Sequence, residues 1–429
     1  MANNNKTKNR AAYASNLKPS MLALAVSSCL AFPVLAQDTA NTDDEAVKLE
    51  RIEVTARRTV ENLQTVPVAV TSLGEEQLAQ RGIDNITSVQ QYSPNTTLQV
   101  SRGTNSTLTA YIRGIGQQDP LWGFEPGVGI YIDDVYLARP QGAALDVYDV
   151  ERVEVLKGSA SLRYGPSTIG GVVNYQTKTP DDGVKLSARA GSFNLREVGV
   201  EAGGKSQSGD AFAGVVATHA SSDGFMDKGY EMTDVMAKAG VIFSDSHKLG
   251  IKASRHENDA NISYRGMLLA DYNAGAKYNP APDDYFLTDR TAIDINHEWT
   301  LSASSTLKTL LYWSEMTRDY WRYNVDTAAS NDAGRWVYTD DLTGNNRSFD
   351  RVGLETRLTL DHSLFGAMAS SEFGLRFMQE EANDTRIRAT RAADRTGVND
   401  RHRLDSADSV AGYAQSRIEL TEHFAITPG

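Results

Sequence analysis

From Val184 onward the chain alternates apolar and polar side chains in short runs, and the links between those runs are sorted by length. Ile293-Asp-Ile-Asn296 and Leu354-Glu-Thr-Arg-Leu-Thr-Leu360 show the period of two that sends successive side chains to opposite faces of a strand. About eleven such segments fit, at roughly 184–190, 195–203, 211–220, 235–243, 248–256, 291–300, 306–317, 350–361, 371–380, 409–419 and 422–427. Links from even to odd segments are short, at Ser244-Asp-Ser-His247, Leu301-Ser-Ala-Ser304 and Leu420-Thr-Glu422, with moderate ones near 204–210 and 362–370. Links from odd to even segments are long, near 221–234, 257–290, 318–349 and 381–408; only the first, Gly191 to Asn194, is short. A soluble sandwich has no reason to sort loops by strand parity. A membrane barrel does, because one rim carries turns and the other carries loops. The expectation is an antiparallel transmembrane β-barrel over 183–429, with lipid on one face of each strand and a polar interior on the other.

No segment is apolar for about 18 residues, so no helical membrane span is expected. The first 36 residues read as a secretory signal peptide. Lys6, Lys8, Arg10 and Lys18 form a basic start, Met21 to Phe32 an apolar stretch, and Val34-Leu35-Ala36 a small-residue cleavage site. Cys29 is the single cysteine and falls inside that signal, which leaves no thiol for disulfides, zinc or nucleophilic catalysis. The signal holds four of the 43 basic residues and none of the 55 acids, so the remainder carries 39 against 55, a balance of −16. That acidity, with no basic run after Ala36, argues against a nucleic-acid partner.

Residues 37–59 open with the acidic run Asn41-Thr-Asp-Asp-Glu45, which reads as a disordered leader, and then turn extended at Leu49-Glu-Arg-Ile-Glu-Val-Thr-Ala-Arg-Arg58. Such a strand can begin a domain or can serve as an edge for β-augmentation by a partner. Residues 60–182 read as a mixed α/β domain. Ser72-Leu-Gly-Glu75 has the spacing of a capping box for a short helix through Gln80, and a second helix or turn is expected at Thr87 to Tyr92. Extended segments follow at Thr97 to Val100, Thr107 to Arg113, Gly129 to Tyr136 and Glu151 to Leu156.

The stretch from Asp149 to Tyr175 reads as a strand, a turn punctuated by Gly158 and Gly165, and a β-branched strand after Gly170 and Gly171. It holds no reactive group. Elsewhere, Gly165-Pro-Ser-Thr-Ile-Gly170 is one residue too long for a nucleophile elbow, and no phosphate loop occurs. The seven histidines lack the i, i+4 pairing of a helical zinc site. Asp133 and Asp134, read as neighbours in a strand, would face opposite ways and make poor joint acid–base partners. The reading is a protein that is not an enzyme, with no catalytic set, no metal site and no cofactor.

The Val153-Glu-Val-Leu-Lys-Gly158, Tyr164-Gly165 and Ile169-Gly-Gly171 series closely resembles the end of the plug domain of TonB-dependent outer-membrane receptors. Tyr111-Ile-Arg-Gly-Ile-Gly116 and Gly129-Ile-Tyr-Ile-Asp-Asp134 resemble earlier plug motifs in the expected order, although Lys157 replaces the usual Arg and Ser159-Ala-Ser161 the usual Pro-Gln-Gly. By that resemblance the plug motif residues are Arg113, Gly114, Asp133, Gly158, Tyr164, Gly165, Gly170, Gly171 and Asn174. The strand Ile52, Glu53, Val54, Thr55, Ala56 resembles the TonB box, which the TonB protein of the energy-transducing inner-membrane complex would grasp. The resemblance implies uptake of a scarce small-molecule ligand, such as a ferric siderophore, through a lipid-embedded barrel in the bacterial outer membrane, with plug and N-terminus toward the periplasm. Trp122 and Phe124 at the plug apex, and Tyr320 and Trp321 in the loop at 318–349, are candidate ligand contacts; an interfacial aromatic girdle accounts for the latter two equally well. The family's barrels have 22 strands, the plugged-transporter size. About half of that fits after Val184, so a piece of a longer receptor is expected, with a truncated non-transporting product or a passive porin as the alternatives.

Overall fold

In the computed structural model the described residues are 53–54, 61–64, 66–83, 85–101, 103–117, 126–137, 139, 141, 150–165, 168–393 and 395–429. All belong to one compact unit, Leu49–Gly429. The signal-like segment, Ile52, Thr55, Ala56, Trp122 and Phe124 lie outside the described residues.

The first part is built around three small sheets. Strands β1 (Glu53–Val54) and β2 (Glu61–Asn62) form an antiparallel pair. Strand β3 (Ala69–Gly74) leads into helix α1 (Glu75–Gln80). The expected capping box does not form. Ser72 lies inside β3, opposite Glu154, so it cannot serve as a cap, and Gly74 caps without a side chain. Glu75 and Glu76 favour the helix N-terminus instead. A 3-10 turn at Ile86–Tyr92 follows, capped by the Asn85 side chain, which accepts from the Thr87 amide at 2.7 Å. Strands β4 (Thr96–Val100), β5 (Leu108–Ile112) and β6 (Ile115–Gly116) make a three-stranded sheet.

Strands β7 (Val128–Ile132), β8 (Val135–Tyr136) and β9 (Val150–Lys157), then helix α2 (Ser161–Tyr164) and strand β10 (Gly171–Thr177), complete a five-stranded sheet with order β3-β9-β10-β7-β8. Every residue of β7 is buried, and β10 runs parallel to it, which fits strands covered on both faces. Leu98, Ile112, Val155, Val173 and Tyr175 form the core of this domain. The expected single segment from Gly129 to Tyr136 is two strands joined by a tight turn at Asp133-Asp134, whose φ values of 49 and 70 place both residues in the left-handed region.

The second part is one antiparallel meander of eleven strands, taken in chain order: β11 (Gly183–Gly191), β12 (Leu195–Lys205), β13 (Ala211–Ser222), β14 (Tyr230–Ser244), β15 (His247–Ala260), β16 (Tyr285–Ser302), β17 (Ser305–Val325), β18 (Tyr338–Leu364), β19 (Ala367–Thr390), β20 (Val398–Thr421) and β21 (Phe424–Ile426). Among the described residues β11 and β21 are its edges, so this is part of a barrel. Register explains the sidedness. Ile251, Ile295, Leu311, Leu354, Phe377 and Val410 are successive cross-strand partners on six strands, and they form one apolar row on the outer face. Such a band is what hydrocarbon requires. The side chains one position along, including Lys252 and Asp294, face the first domain.

Short turns join β14 to β15 and β16 to β17, as expected, whereas the moderate link expected near 362–370 narrows to a short turn between Leu364 and Ala367. The long links are shorter than expected, because β17, β18, β19 and β20 run well past 306–317, 350–361, 371–380 and 409–419. A tilted strand needs only about 9–11 residues to cross a bilayer. The extra length carries polar pairs such as Arg347 opposite Asp384, held by the backbone ladder without apolar alternation. Periodicity alone does not detect such strands.

Candidate functional site: the plug–wall latch

The turn between β7 and β8 is the centre of the site. A two-residue turn with both residues at positive φ aims two adjacent carboxylates at the sheet wall, which an extended strand would not do. Asp133 Oδ2 accepts from Lys252 Nζ at 2.8 Å and from Thr177 Oγ1 at 2.5 Å, and Oδ1 accepts from the Thr177 amide at 2.8 Å. Lys238 Nζ stands 3.6 Å from the same carboxylate and donates to the Thr177 carbonyl at 2.6 Å. Lys252 is shared with Asp294 of the wall, also at 2.8 Å. Burial by itself would raise the Asp133 pKa; the Lys252 and Lys238 ammonium groups and these hydrogen bonds outweigh it and hold the carboxyl well below the usual range.

Asp134 takes a different route. Its Oδ2 lies 2.9 Å from Arg357, whose Nε is 3.6 Å from Glu355, and Glu355 in turn holds Arg376 at 2.8 Å. Arg376 Nη1 donates to the Tyr164 carbonyl at 2.9 Å, and the Tyr131 hydroxyl donates to the same oxygen at 2.6 Å. Gly165 follows with φ +86; a Cβ there would stand 2.7 Å from Arg376 Nη1. Gly171, at φ +144, would place a Cβ 2.1 Å from the Leu156 carbonyl. Further contacts flank this chain. Glu380 pairs with both Arg139 and Arg351, Arg351 donates to the Tyr136 carbonyl at 3.1 Å, and Arg163 donates to Gln415 at 2.8 Å.

Of the residues singled out from sequence, Asp133, Tyr164 and Gly165 come together at this latch. Arg113 (φ 53) and Gly114 (φ +80) instead shape the turn from β5 to β6, with the Arg113 amide donating to the Asn95 carbonyl at 2.8 Å. Gly158 and Gly170 share a backbone hydrogen bond of 3.0 Å at the ends of β9 and β10. Asn174 is fully buried in β10, and neither of its side-chain amide atoms has a partner. The wall partners Lys238, Lys252, Asp294, Glu355, Arg357 and Arg376 were missed. Their only sequence signal is a charge at an inward position of an alternating strand.

Val54 is paired in β1 and has no exposed surface, packing with Tyr131, Tyr136, Leu156, Tyr164 and Val172. The described part of the strand expected at 52–56 is thus covered, and it packs against the very tyrosine whose carbonyl Arg376 holds. Tyr320 and Trp321 are separated by strand alternation. Tyr320 faces inward, where its hydroxyl accepts from the Tyr264 amide at 2.9 Å, whereas Trp321 packs with Tyr323, Leu342 and Ala389 on the other face.

Comparison with known proteins agrees with this architecture. Residues 62–172 match the TonB-dependent receptor plug domain, and residues 238–429 match the TonB-dependent receptor-like β-barrel. The vitamin B12 transporter BtuB of Photobacterium profundum is 26% identical over 263 residues, covering 58% of this chain and 41% of that protein. The ferrioxamine B receptor of Salmonella typhimurium is 22% identical over 276 residues, covering 60% and 38%. Among solved structures, the unliganded ferric citrate transporter FecA aligns with a TM-score of 0.69 at 17% identity, over 84% of this chain and 55% of that one. The pyoverdine receptor FpvA of Pseudomonas aeruginosa aligns at 0.71 and 17%, over 87% and 58%. The chain spans roughly half the length of these relatives, or less. With a plug domain latched inside a partial antiparallel barrel, and with both halves matched in order, the chain belongs to the TonB-dependent receptor family.

Proposed function

We propose that this chain supplies the gate and the adjoining wall of an outer-membrane transporter for a small solute. The observation that carries this reading is the Asp133–Lys252 and Asp134–Arg357 latch, because it joins the first domain to the wall by ion pairs, which can be exchanged without unfolding either part. The apolar contact beside it, of Val135 with Leu310 and Tyr312, is small. Val54 lies on the same plug, packed against Tyr164. A ligand that disturbs the wall side therefore has a short mechanical path, through Arg376 and the Tyr164 carbonyl, to the strand at 52–56.

An outer membrane holds neither nucleotide nor an ion gradient of its own, so opening requires work delivered from the inner membrane. A TonB-type protein supplies it by adding its strand to residues Ile52–Ala56. Trp122, Phe124 and Tyr320 are then the candidate ligand contacts on the outward side, and the N-terminus faces the periplasm. The relatives' names specify vitamin B12, ferrioxamine B, ferric citrate and pyoverdine for those proteins; a siderophore-like solute is the corresponding candidate here. The test is growth on a limiting solute with and without the TonB-type partner, together with Val54→Pro. Proline removes a main-chain donor from the strand. Uptake should be lost in Val54→Pro while ligand binding persists, and unimpaired uptake would refute the docking assignment.

A further inference from the structure

Two arginines on the inward face of β17 lack acidic partners of the kind that Arg347, Arg351, Arg357 and Arg376 have. Arg318 is nine-tenths buried, and its Nε has no hydrogen-bond partner; its Nη2 reaches only the Asn345 carbonyl, at 3.3 Å. Arg322 donates to the Tyr264 hydroxyl, and its Nε is likewise unpartnered. Between them stands Tyr320, with the two guanidinium carbons 5.8 and 5.0 Å from its ring centre. Asn345, opposite Tyr320, adds an unpartnered side-chain amide nitrogen. Three buried donor atoms without acceptors thus gather on two neighbouring strands, an arrangement that folding by itself disfavours.

The nearby carboxylates each face other arginines. Asp384 is shared by Arg347 at 2.8 Å and Arg401 at 2.7 Å, and Asp400 by Arg386 at 2.8 Å and Arg388 at 2.5 Å. Asp284 Oδ1 accepts from the Tyr323 amide at 2.9 Å, and its Oδ2 faces Arg265 at 3.5 Å without a hydrogen bond. Among the described residues no carboxylate approaches Arg318 or Arg322 within salt-bridge distance. The plug meets the same wall at this level. Ser106 stands 3.4 Å from Thr288, which is the cross-strand partner of Arg318, and Gly103 lies against Tyr320 so closely that a Cβ would be 2.7 Å from the hydroxyl.

We infer that Arg318, Arg322 and Asn345 form a subsite for a solute bearing more than one oxyanion group, seated beside the Tyr320 ring above plug residues Gly103–Ser106. A guanidinium fork matches a carboxylate or similar oxyanion through two parallel hydrogen bonds, and an aromatic ring between two such forks suits a solute that carries anions on a compact body. The inference rests on the proposed transport reading for the direction of approach and deepens it by fixing the charge of the solute. A cationic solute would be repelled by the two guanidinium groups, and a neutral one would meet their donors without charge assistance.

The experiment is equilibrium titration of the full-length protein in detergent micelles, followed by tryptophan fluorescence and calorimetry. The probes are propane-1,2,3-tricarboxylate, its trimethyl ester and inorganic phosphate. The free acid should bind saturably and more weakly as salt rises, while the ester should not bind. Arg318→Gln and Arg322→Gln should each weaken the acid about tenfold or more. Arg318→Lys, which keeps the charge and loses the fork, should fall between, and the outward-facing control Arg255→Gln should leave binding unchanged. Heat-modifiable gel mobility identifies variants that retain the barrel. Equal binding of acid and ester, undiminished binding in the double Arg318→Gln, Arg322→Gln variant, or no binding of either anion by the folded protein would each overturn the inference. None of these needs the TonB-type partner, so failure here is distinct from failure of energised uptake in the growth assay.

Discussion

Replacing Asp133 with Asn removes the charge at the centre of the latch while keeping the shape. Lys252 keeps its carboxylate partner Asp294 at 2.8 Å, whereas Lys238 keeps only the neutral Thr177 carbonyl at 2.6 Å. Thr177 still has an amide oxygen to donate to. The loss is therefore that of charge-assisted hydrogen bonds, about 2 kcal/mol, or roughly thirtyfold in the equilibrium between docked and released plug. Lys252→Met is a sharper perturbation. It leaves Asp133 and Asp294, both nearly buried, facing the same gap without their shared cation, and breaking a buried pair in this way costs about 3–5 kcal/mol. The assay is hydrogen exchange at β7, β8 and β10 amides in a urea series, with the purified protein in detergent. Both variants should lose protection at lower urea than wild type, Lys252→Met the more so. Equal effects, or the reverse order, would refute the idea that the shared lysine is the keystone of the latch.

The pH dependence of that latch follows from Asp133. Its folded pKa lies below the unfolded value of about 3.9, so its contribution is complete above pH ~4 and is lost only as pH falls through the depressed value; plug protection should be flat from about pH 5 to 8. Gly165→Ala should break the Arg376–Tyr164 contact, since the Cβ meets Nη1 at φ +86, and should loosen the docked plug by about 1–3 kcal/mol in the same exchange assay. Asn174→Leu should instead stabilise the plug by about 1–3 kcal/mol, because it removes two buried polar atoms that have no partner; urea midpoints give the sign. Leu354→Arg places a cation in the outer apolar row and should cost roughly 2–4 kcal/mol in lipid vesicles. If that variant folds as well as wild type, the row does not face hydrocarbon.

Alternation along the strands identified the wall, because lipid on one side and polar groups on the other impose a period of two on any sequence that crosses in extended form. The order of glycine-punctuated motifs from Tyr111 to Asn174 identified the plug, because positive φ and close backbone approach restrict Gly165 and Gly171 to a single residue type. Both signals are local, and a chain read one residue at a time retains them. The long polar ends of β18 and β19 leave no such trace, because they are held by backbone pairing with polar side chains on both faces. Nor does Asp133 announce Lys252, 119 residues away, or Asp134 announce Arg357, 223 residues away. Alternation and motif order locate the wall strands, the apolar face of each and the succession of two unlike domains, but not the split of 129–136 or the ends of β17 to β20. Docking alone brings the charges together, puts Asp133 and Asp134 in one turn that reaches the wall, and covers Val54 with Tyr164. Ion pairing depends on distance in space, and distance in space is set by register and docking, which no residue encodes alone.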